Sequence, residues 1–299
     1  MESLTLSLDD CHGFSVDSCG NKALNLWSLM RHGLQVPRGF VITTNALESI
    51  FGSLDDAALN QSDPESAILA QASQYVMTVD ITNSTLTRET ADQLKALDVF
   101  SDDPLIVRSS SCSEDSGNAS FAGVYSSIKT TANADQIMHA IREVYSSRYS
   151  LAALAYGRAL KSRFNIVFPL FNKMAILIQR YVVSDFGGVL FTQDPLDNRY
   201  GRVEIASGGA HSIVSGITPQ ISAMFDINQG FVEEDDFVEV VNMCKSISTA
   251  DSFVHQLSIS ASQIKTVFGS EQDIEWVWDG LRVWILQARP ITRSYTVHG

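Results

Sequence analysis

We predict from the sequence an α+β protein made of two lobes, and three observations support this fold class. The chain has 299 residues, of which 45% are hydrophobic and 18% charged, the composition of a folded globular protein. Helical patterns dominate its first half, between a few short apolar strands. Beyond about residue 175, short apolar segments joined by Gly, Asp and Pro turns predict mainly β-structure. We therefore predict one lobe of residues 1–174 and another of residues 175–299.

The charge of the chain restricts its partners. It has 21 Lys and Arg residues against 34 Asp and Glu residues, a formal net charge of −13, and a pI of about 4.8. Because an acidic surface repels the phosphate backbone of nucleic acids, we expect no nucleic-acid partner. The acidic run "FVEEDDFVEVV", from Phe231 to Val241, is interpreted as a solvated face or strand edge, with a metal cluster as the alternative.

The cysteines and the apolar runs indicate the compartment. Cys11, Cys19, Cys112 and Cys244 have no CxxC spacing and are too few to cross-link a chain of this length. We interpret them as free thiols in a reducing compartment. The first residues lack the pattern of a signal peptide, and no uncharged apolar run reaches about 18 residues. We therefore expect a cytoplasmic protein without a membrane partner.

The first half of the chain reads as a series of helices and strands. A helix is predicted first, because Leu24, Trp27, Met30 and Leu34 recur at roughly helical spacing before "GLQVPRGF" interrupts it. The strand "FVIT" follows, and residues 53–97 are predicted to be largely helical. Next come the strand "PLIVRSS", a Ser- and Gly-rich segment, a strand at "VYSSIKT" and helical patterning over residues 134–161. The Ser- and Gly-rich segment therefore connects two strands.

The start of the first helix carries one candidate for phosphate binding. Gly20 and Asn21 lead into the helical pattern, and Lys22 lies near its beginning. A bound anion would meet free backbone N–H groups, the positive end of the helix dipole and an ammonium group there. A lysine near a helix start is more often an ordinary surface residue, so both interpretations stay open.

Arg108 is a second candidate, because it lies at the end of an apolar run and directly precedes a run of serines. A guanidinium in this place can direct two or three donors towards a phosphate. The alternative is a buried ion pair with Glu114 or Asp115. The stretch "NASFAG", residues 118–123, could bring its backbone close to phosphate oxygens as glycine-rich loops do, or form an ordinary hairpin turn.

The segment "DIEWVWDGLRVWILQARP" predicts a hairpin near the end of the chain. A two-residue Asp-Gly turn would place Glu275 and Gln287 on opposite faces. We predict a three-residue loop, Asp279 to Leu281, which pairs Trp278 with Arg282 and Trp276 with Trp284. One face then carries the core residues Ile274, Trp276, Trp284 and Leu286, and the other carries Asp273, Glu275, Gln287 and Arg289.

The polar face of this hairpin has the groups that phosphoryl transfer requires. Its carboxylate and amide oxygens are hard ligands suited to Mg²⁺, and its arginine is suited to a phosphate. Phosphoryl transfer from a nucleotide is accelerated mainly by positioning and by neutralising charge. The alternative is a polar strand that faces solvent, and we assign the tryptophans to the core and not to a nucleotide stack.

Five sequence blocks together resemble a known family. In order they are "GNKALNLWSLMRHGLQVPRGFVITT", "VRSSSCSEDSGNASFAG", "ILIQRYVVSDFGGVLFTQDP", "IVSGITP" and "DIEWVWDGLRVWILQARPIT". Their order and spacing resemble the amino-terminal ATP-grasp domain of pyruvate phosphate dikinase, phosphoenolpyruvate synthase and rifampicin phosphotransferase. The resemblance extends from Asn21 to Thr292. It implies an ATP-grasp fold whose two lobes enclose a nucleotide cleft.

The resemblance also implies roles for individual residues. Lys22 and Arg108 would bind the phosphates of ATP, and adenine would lie against the strand "ILIQRYV" at Gln179. Glu275 and Gln287 would bind Mg²⁺, and Arg289 would contact the terminal phosphates and, with Arg108, act in catalysis. The residues Ser120, Ala122 and Gly123 would belong to the lid over the phosphates.

The sequence departs from the family at two positions. His211 in "GGAHSIVSG" stands where the family has a carboxylate, and could act as a general base, as a phosphoryl acceptor or as a plain polar contact. Gln193 in "FTQDP" stands where arginine is common, which removes one positive charge.

The remaining question is the phosphoryl acceptor. Larger members of the family carry a swivelling phosphohistidine domain, and the six histidines here lie in no motif of that type. We therefore expect an ATP-dependent phosphotransferase that acts on a small molecule. The alternatives are transfer to a histidine of a partner swivel domain, ligation through an acyl phosphate, and a nucleotide-binding subunit without catalysis.

Overall fold

The computed structural model describes residues 3–10, 12–52, 65–81, 84–112, 124–164, 173–194, 199–207 and 219–291. The α-helices in these ranges are α1 (Val16–Arg31), α2 (Thr44–Phe51), α3 (Glu65–Thr78), α4 (Thr85–Ala96), α5 (Ala134–Ser146), α6 (Leu151–Phe164), α7 (Glu234–Cys244) and α8 (Ile247–Phe268). The strands are β1 (Thr5–Ser7), β2 (Gly39–Ile42), β3 (Pro104–Ser111), β4 (Ser127–Thr131), β5 (Met174–Arg180), β6 (Phe186–Phe191), β7 (Gly201–Ala206), β8 (Ile221–Asp226), β9 (Gly230–Phe231), β10 (Gln272–Trp278) and β11 (Val283–Pro290). The predicted α+β class is confirmed.

The described residues divide into two compact units. The first extends to Tyr181 and leaves out Ser28–Pro37, whereas the second contains that segment and the residues from Val182 onward. Each unit has its own antiparallel sheet. The boundary between residues 174 and 175 stays a prediction. Strand β5 pairs with β2 and β3 in the sheet of the first unit.

The first sheet has the strand order β1-β2-β5-β3-β4. One of its faces carries Phe40, Val107, Ile176 and Ile178, which are fully buried in a hydrophobic core together with residues of α2 to α5. Directly paired residues share a face of an antiparallel sheet, and side chains alternate along each strand. The opposite face therefore carries the residues that lie between these core residues along each strand.

The sequence placed most elements of the first unit correctly. Strands β3 and β4 occur where "PLIVRSS" and "VYSSIKT" predicted them. Helices α3 and α4 occupy the described part of residues 53–97. The helical pattern of residues 134–161 is two helices, α5 and α6, because a short 3₁₀ helix, Ser147–Tyr149, separates them.

The second sheet has the strand order β11-β10-β6-β7-β8-β9. Four aromatic rings pack on one of its faces. Phe253 of α8 lies 5.1 Å from Trp276 and 5.2 Å from Phe186, measured between ring centroids, and it also contacts Trp278. All four side chains are buried, so the assignment of Trp276 and Trp278 to the core is confirmed.

Most of the acidic run from Phe231 to Val241 lies in helix α7, so its interpretation as a strand edge is wrong. Helix α7 begins with Glu234, Asp235 and Asp236 in its first turn, where the helix dipole favours negative charge. Most of its acidic side chains are exposed, as a solvated face requires. Burial and the neighbouring carboxylates raise the pKa of Asp236. Among the described residues no group of three or more His, Cys, Asp or Glu side chains is suited to hold a metal ion.

Helix α8 was not predicted, since the second half was interpreted as mainly β-structure. Its buried residues are Ala250, Phe253, Leu257, Ala261 and Ile264, which recur every three or four positions as on one face of a helix. This period was readable in the sequence. The polar Ser and Gln residues between them obscured it.

The hairpin of β10 and β11 has a different register from the predicted one near its loop. Trp276 pairs with Ile285 and Trp278 with Val283, so the predicted pairing of Trp276 with Trp284 is wrong. The loop is longer because Asp279 organises it. Asp279 Oδ1 accepts hydrogen bonds from the backbone N–H groups of Leu281 and Arg282 at 2.8 and 2.7 Å.

Trp284 consequently leaves the predicted core face, and Leu286 lies at an irregularity in the register. Trp284 is half-buried, pairs with Val277 and donates from Nε1 to Asp279 Oδ2 at 2.7 Å. A β-bulge between Ile285 and Gln287 then shifts the register and restores the alignment of Glu275 with Gln287. The polar face was therefore predicted correctly although the loop was not.

Three cysteines lie in the described ranges, and all are free thiols. Burial raises the pKa of Cys19, and it raises the pKa values of Cys112 and Cys244 to about 11. The free-thiol prediction is thus confirmed for these three, while Cys11 lies outside the described residues. None of the helices in the described part of the chain is long and apolar enough to cross a membrane.

Candidate active site

A break in helix α1 creates the helix start that carries Lys22. Gly20 has φ 71° and ψ 169°, which interrupts the helical backbone, and helical geometry resumes after it. Only glycine adopts this conformation readily. A Cβ atom at Gly20 would lie 2.0 Å from the carbonyl oxygen of Ser110. The backbone of α1 therefore approaches strand β3 as closely as a glycine allows.

Hydrogen bonds hold this helix start on strand β3. Ser110 Oγ donates to the carbonyl oxygen of Cys19 at 2.6 Å and accepts from the backbone N–H of Ala23 at 3.0 Å. Asn21 Nδ2 donates to the carbonyl oxygen of Cys112 at 2.8 Å. The serine run of the sequence thus has a structural role, because it anchors the first turn of the resumed helix.

Lys22 is buried in this arrangement. Only 4% of the residue is exposed, and its Nζ donates to the carbonyl oxygen of Ser109 at 3.0 Å. The interpretation as an ordinary surface lysine is therefore wrong. A buried ammonium favours acceptors and negative charge around it, so this position is suited to a bound anion.

Arg108 precedes Ser109 in the same strand and is 9% exposed. It pairs with Leu177 of β5 and Ser127 of β4, so these residues share one face of the first sheet. It is the face opposite to the hydrophobic core, because successive side chains along a strand point to opposite faces. The alternative ion-pair partners, Glu114 and Asp115, lie outside the described residues. Lys22 and Arg108 place two buried cationic groups at the same end of β3.

Gln179 lies on the same face as Arg108. It pairs with Ile106 on one side and with Gly39 on the other, and it is 2% exposed. A Cβ atom at Gly39 would lie 2.8 Å from Gln179 Cγ, so glycine leaves room for the glutamine side chain. The strand predicted to receive adenine therefore belongs to the same face as the phosphate candidate Arg108.

Two further residues near Gln179 were missed by the sequence reasoning. Lys129 pairs with Ile106, and its Nζ lies 4.0 Å from the centroid of the Tyr181 ring. Tyr181 follows Gln179 by two positions and donates its backbone N–H to the carbonyl oxygen of Pro104 at 2.9 Å. The alternation of "SSIKT" could have placed Lys129 on the Arg108 face once Ser127 was aligned with Arg108.

The second unit contains the predicted metal and phosphate residues. Glu275 pairs directly with Gln287, and Asp273 pairs directly with Arg289, so all four share one face. Arg289 donates to Asp273 Oδ2 from Nε at 2.9 Å and from Nη2 at 2.7 Å. This ion pair was not predicted, and it fixes the direction of the Arg289 guanidinium.

Asp273 is a buried acid on this face, and its pKa is raised. Burial raises its pKa, while the neighbouring Arg289 lowers it, and the carboxylates of Glu275 and Glu204 raise it further. Its Oδ1 is buried and has no hydrogen-bond partner among the described residues. A cation beside Oδ1 would offset both the charge repulsion and the unmet hydrogen-bonding capacity.

These donors fit a magnesium ion. Glu275 and Gln287 supply oxygens from opposite strands at one level of the hairpin, and the orphaned Asp273 Oδ1 lies on the same face. Mg²⁺ prefers oxygen ligands and is typically held by one or two carboxylates together with substrate phosphates and water.

Strand β7 adds charged groups that the sequence reasoning did not single out. Glu204 pairs with Val189 and Arg202 with Phe191, which places both on the Glu275 face. Arg202 Nε donates to the buried Asp194 Oδ2 at 2.8 Å. Arg202 therefore places a positive charge next to Asp194. The neighbouring position 193 has a glutamine where arginine is common in the family.

The remaining predicted site residues lie outside the described residues. They are the lid residues Ser120, Ala122 and Gly123, together with His211. Their roles stay predictions.

Comparison with known proteins identifies the family. The family described as "Pyruvate phosphate dikinase, AMP/ATP-binding domain" matches residues 16–297. The chain belongs to this family. Its nucleotide-binding domain is ATP-grasp-like, so the predicted family and the predicted fold are confirmed.

Curated relatives of the chain have several different names. The chain is 29% identical to the "Prodigiosin synthesizing transferase PigC" of Serratia marcescens, over 91% of this chain and 31% of that protein. It is 26% identical to the "Rifampicin phosphotransferase" of Bacillus cereus, over 99% of this chain and 37% of that protein. A "Probable phosphoenolpyruvate synthase" of Methanocaldococcus jannaschii is also 26% identical, over 95% of this chain and 26% of that protein. The chain thus spans about a third of the length of the first two of these relatives.

Proposed function

We propose that this protein binds ATP with Mg²⁺ and transfers a phosphoryl group to a small-molecule acceptor. The observation that carries this proposal is a pair of buried cations, Arg108 of β3 and Lys22 of α1, whose Nζ donates to the Ser109 carbonyl of β3. Gln179 of the neighbouring strand β5 lies on the same face of the sheet as Arg108. Burying cations costs free energy, and the phosphates of a nucleoside triphosphate would offset that cost through charge-assisted hydrogen bonds. Membership of an AMP/ATP-binding family supports the same ligand.

The first unit supplies the groups that bind the nucleotide. Gln179 and the backbone of β5 orient the base, and the Arg108 guanidinium donates to phosphate oxygens. The Lys22 ammonium, positioned by the Ser109 carbonyl, adds charge at the same end of β3. Because Gly20 and Ser110 fix this turn, the charges are in place before the nucleotide binds.

The second unit supplies the groups that bind the metal and the terminal phosphates. Glu275 and Gln287 would hold Mg²⁺, with Asp273 Oδ1 beside them. When bound, the ion would neutralise phosphate charge during transfer. Arg289 donates to the terminal phosphates, and its ion pair with Asp273 holds the guanidinium in the required direction.

ATP with Mg²⁺ is expected to raise the melting temperature of the protein. Ligand at about 100 times its dissociation constant adds roughly 2.7 kcal/mol to the free energy of unfolding. GTP is expected to raise the melting temperature less, because we propose that Gln179 and the backbone of β5 bind adenine. Differential scanning fluorimetry with ATP, GTP and Mg²⁺ alone measures this. An unchanged melting curve at millimolar ATP would refute the nucleotide site.

Two observations bear on the acceptor. Rifampicin phosphotransferases and the prodigiosin synthesizing transferase are named for small-molecule substrates or products, which supports a small-molecule acceptor. The second candidate is transfer to a histidine of a partner swivel domain, which the resemblance to phosphoenolpyruvate synthase implies and the similarity to two probable phosphoenolpyruvate synthases keeps open. Ligation through an acyl phosphate and nucleotide binding without catalysis are the remaining alternatives.

Analysis of the nucleotide product separates these routes. Direct transfer to a small acceptor is expected to yield ADP, because acceptor oxygen attacks the γ-phosphorus while the bond to the bridging oxygen of ADP breaks. Chromatography of a reaction with ATP, Mg²⁺ and candidate acceptors measures ADP, AMP and phosphate. Stoichiometric AMP together with a phosphorylated partner protein would refute direct transfer and establish the second candidate.

A further inference from the structure

The contact between Lys129 and Tyr181 lies at one end of the face that carries Arg108 and Gln179. Lys129 is exposed, and its Nζ lies 4.0 Å above the ring of the half-buried Tyr181. Within the described residues, no carboxylate forms an ion pair with Lys129. A cation held only by an aromatic ring at an exposed position is held weakly. Its ammonium therefore keeps donors that a ligand can use.

The register of the first sheet shows which part of a bound nucleotide Lys129 would meet. Gln179, Ile106 and Lys129 lie side by side on neighbouring strands, in one row across the sheet. Arg108 lies in the next row along β3, and Lys22 reaches β3 one residue further, at Ser109. Lys129 thus shares the row of the residue that orients the base and is diagonal to the residue that binds phosphate.

We propose that Lys129 is a nucleoside-recognition residue, and this inference rests on the proposed function. Its ammonium donates a hydrogen bond to an acceptor of the purine ring or ribose, and the Tyr181 ring holds the side chain over the half-buried Ile106 until the nucleoside binds. An ammonium has three donors and no acceptor, so it suits ring nitrogens and sugar oxygens. A charged donor to a neutral acceptor contributes specificity without the strong salt dependence of a phosphate contact.

The test separates binding of the nucleoside from binding of the phosphates. Isothermal titration of the parent and of Lys129→Met would use ATP, AMP, adenosine and inorganic tripolyphosphate. We expect Lys129→Met to weaken ATP, AMP and adenosine by the same factor, about 10-fold, and to leave tripolyphosphate unchanged. Lys129→Arg, which keeps a donor, should retain most of the affinity.

Lys95→Met is the matched control, because Lys95 is an exposed lysine of the same unit whose partner is Asp92. It removes the same charge and should change none of the four affinities. Equal adenosine affinity in Lys129→Met and the parent would overturn the inference, as would a loss of tripolyphosphate affinity equal to that of ATP. A parent that binds neither ATP nor adenosine would refute the proposed function as well.

Discussion

Replacing Arg108 with alanine is expected to reduce phosphoryl transfer by about 10²–10³-fold or more, with little change in the fold. Arg108 is buried and precedes Ser109, whose carbonyl positions Lys22. In the proposed function its guanidinium would donate charge-assisted hydrogen bonds to phosphate. Removing it should leave the proposed base contacts at Gln179 intact. Steady-state turnover of ATP with the true acceptor measures the loss, and circular dichroism reports the fold.

Arg38→Ala is a suitable control for this variant. Arg38 belongs to the same unit and pairs with Asp9 at 2.7 Å, but its side chain is half-exposed. Loss of a surface ion pair costs little, so this variant should keep the parental rate. Parental turnover by Arg108→Ala would show that the arginine has only a structural role.

Variants of the hairpin extend the same prediction to the second unit. Arg289→Ala is expected to lose transfer to a similar degree, and Glu275→Gln should mainly raise the Mg²⁺ concentration that activity requires. Arg289→Ala also leaves Asp273 buried without its partner, so its stability must be measured separately. Unchanged Mg²⁺ dependence in Glu275→Gln would mean that the polar face of the hairpin is only structural.

Replacing Gly20 with alanine is expected to destabilise the protein by more than about 3 kcal/mol and to abolish nucleotide binding. Two effects add at this position. The backbone has a positive φ of 71°, which a side chain disfavours, and the new Cβ would overlap the Ser110 backbone at 2.0 Å. The start of α1 must then move away from β3, and Lys22 loses its contact with Ser109.

Gly52→Ala separates the two effects. Gly52 has φ 70° and ψ −179°, nearly the backbone of Gly20, but a Cβ there would meet no atom within 4 Å. This variant should show only the conformational cost, about 1–3 kcal/mol, and should retain ATP binding. Chemical denaturation and ATP titration of both variants measure the difference. Equal losses of stability would mean that contact between Gly20 and β3 contributes nothing.

The hairpin shows how far sequence reasoning reached at the candidate site. Alternation along two strands placed Glu275 and Gln287 on one face, and the structure pairs them directly. The loop length was predicted wrongly, because the side chain of Asp279 caps two backbone N–H groups and a bulge compensates for the longer loop. Such compensation depends on the β-strand partners and leaves no mark in a local pattern.

Helix α8 and several charged side chains of the two sheets were not predicted from the sequence. The buried period of α8 was present in the sequence but was not used. Lys129, Glu204 and Arg202 carried no motif, and only the pairing of their strands brings them to the faces of Arg108 and Glu275. Residues without a motif become candidates only when the register between distant strands is known.

The sequence by itself determined the family, the α+β class and the chemical groups of the candidate site, since these follow from residue types at fixed spacing. Only the tertiary structure decided that Lys22 is buried against the Ser109 carbonyl and that Asp273 directs Arg289. Lys22 and Ser109 are 87 residues apart in the chain. Burial, pKa shifts and cross-strand partners arise from packing between such distant segments, and local patterns do not encode that packing.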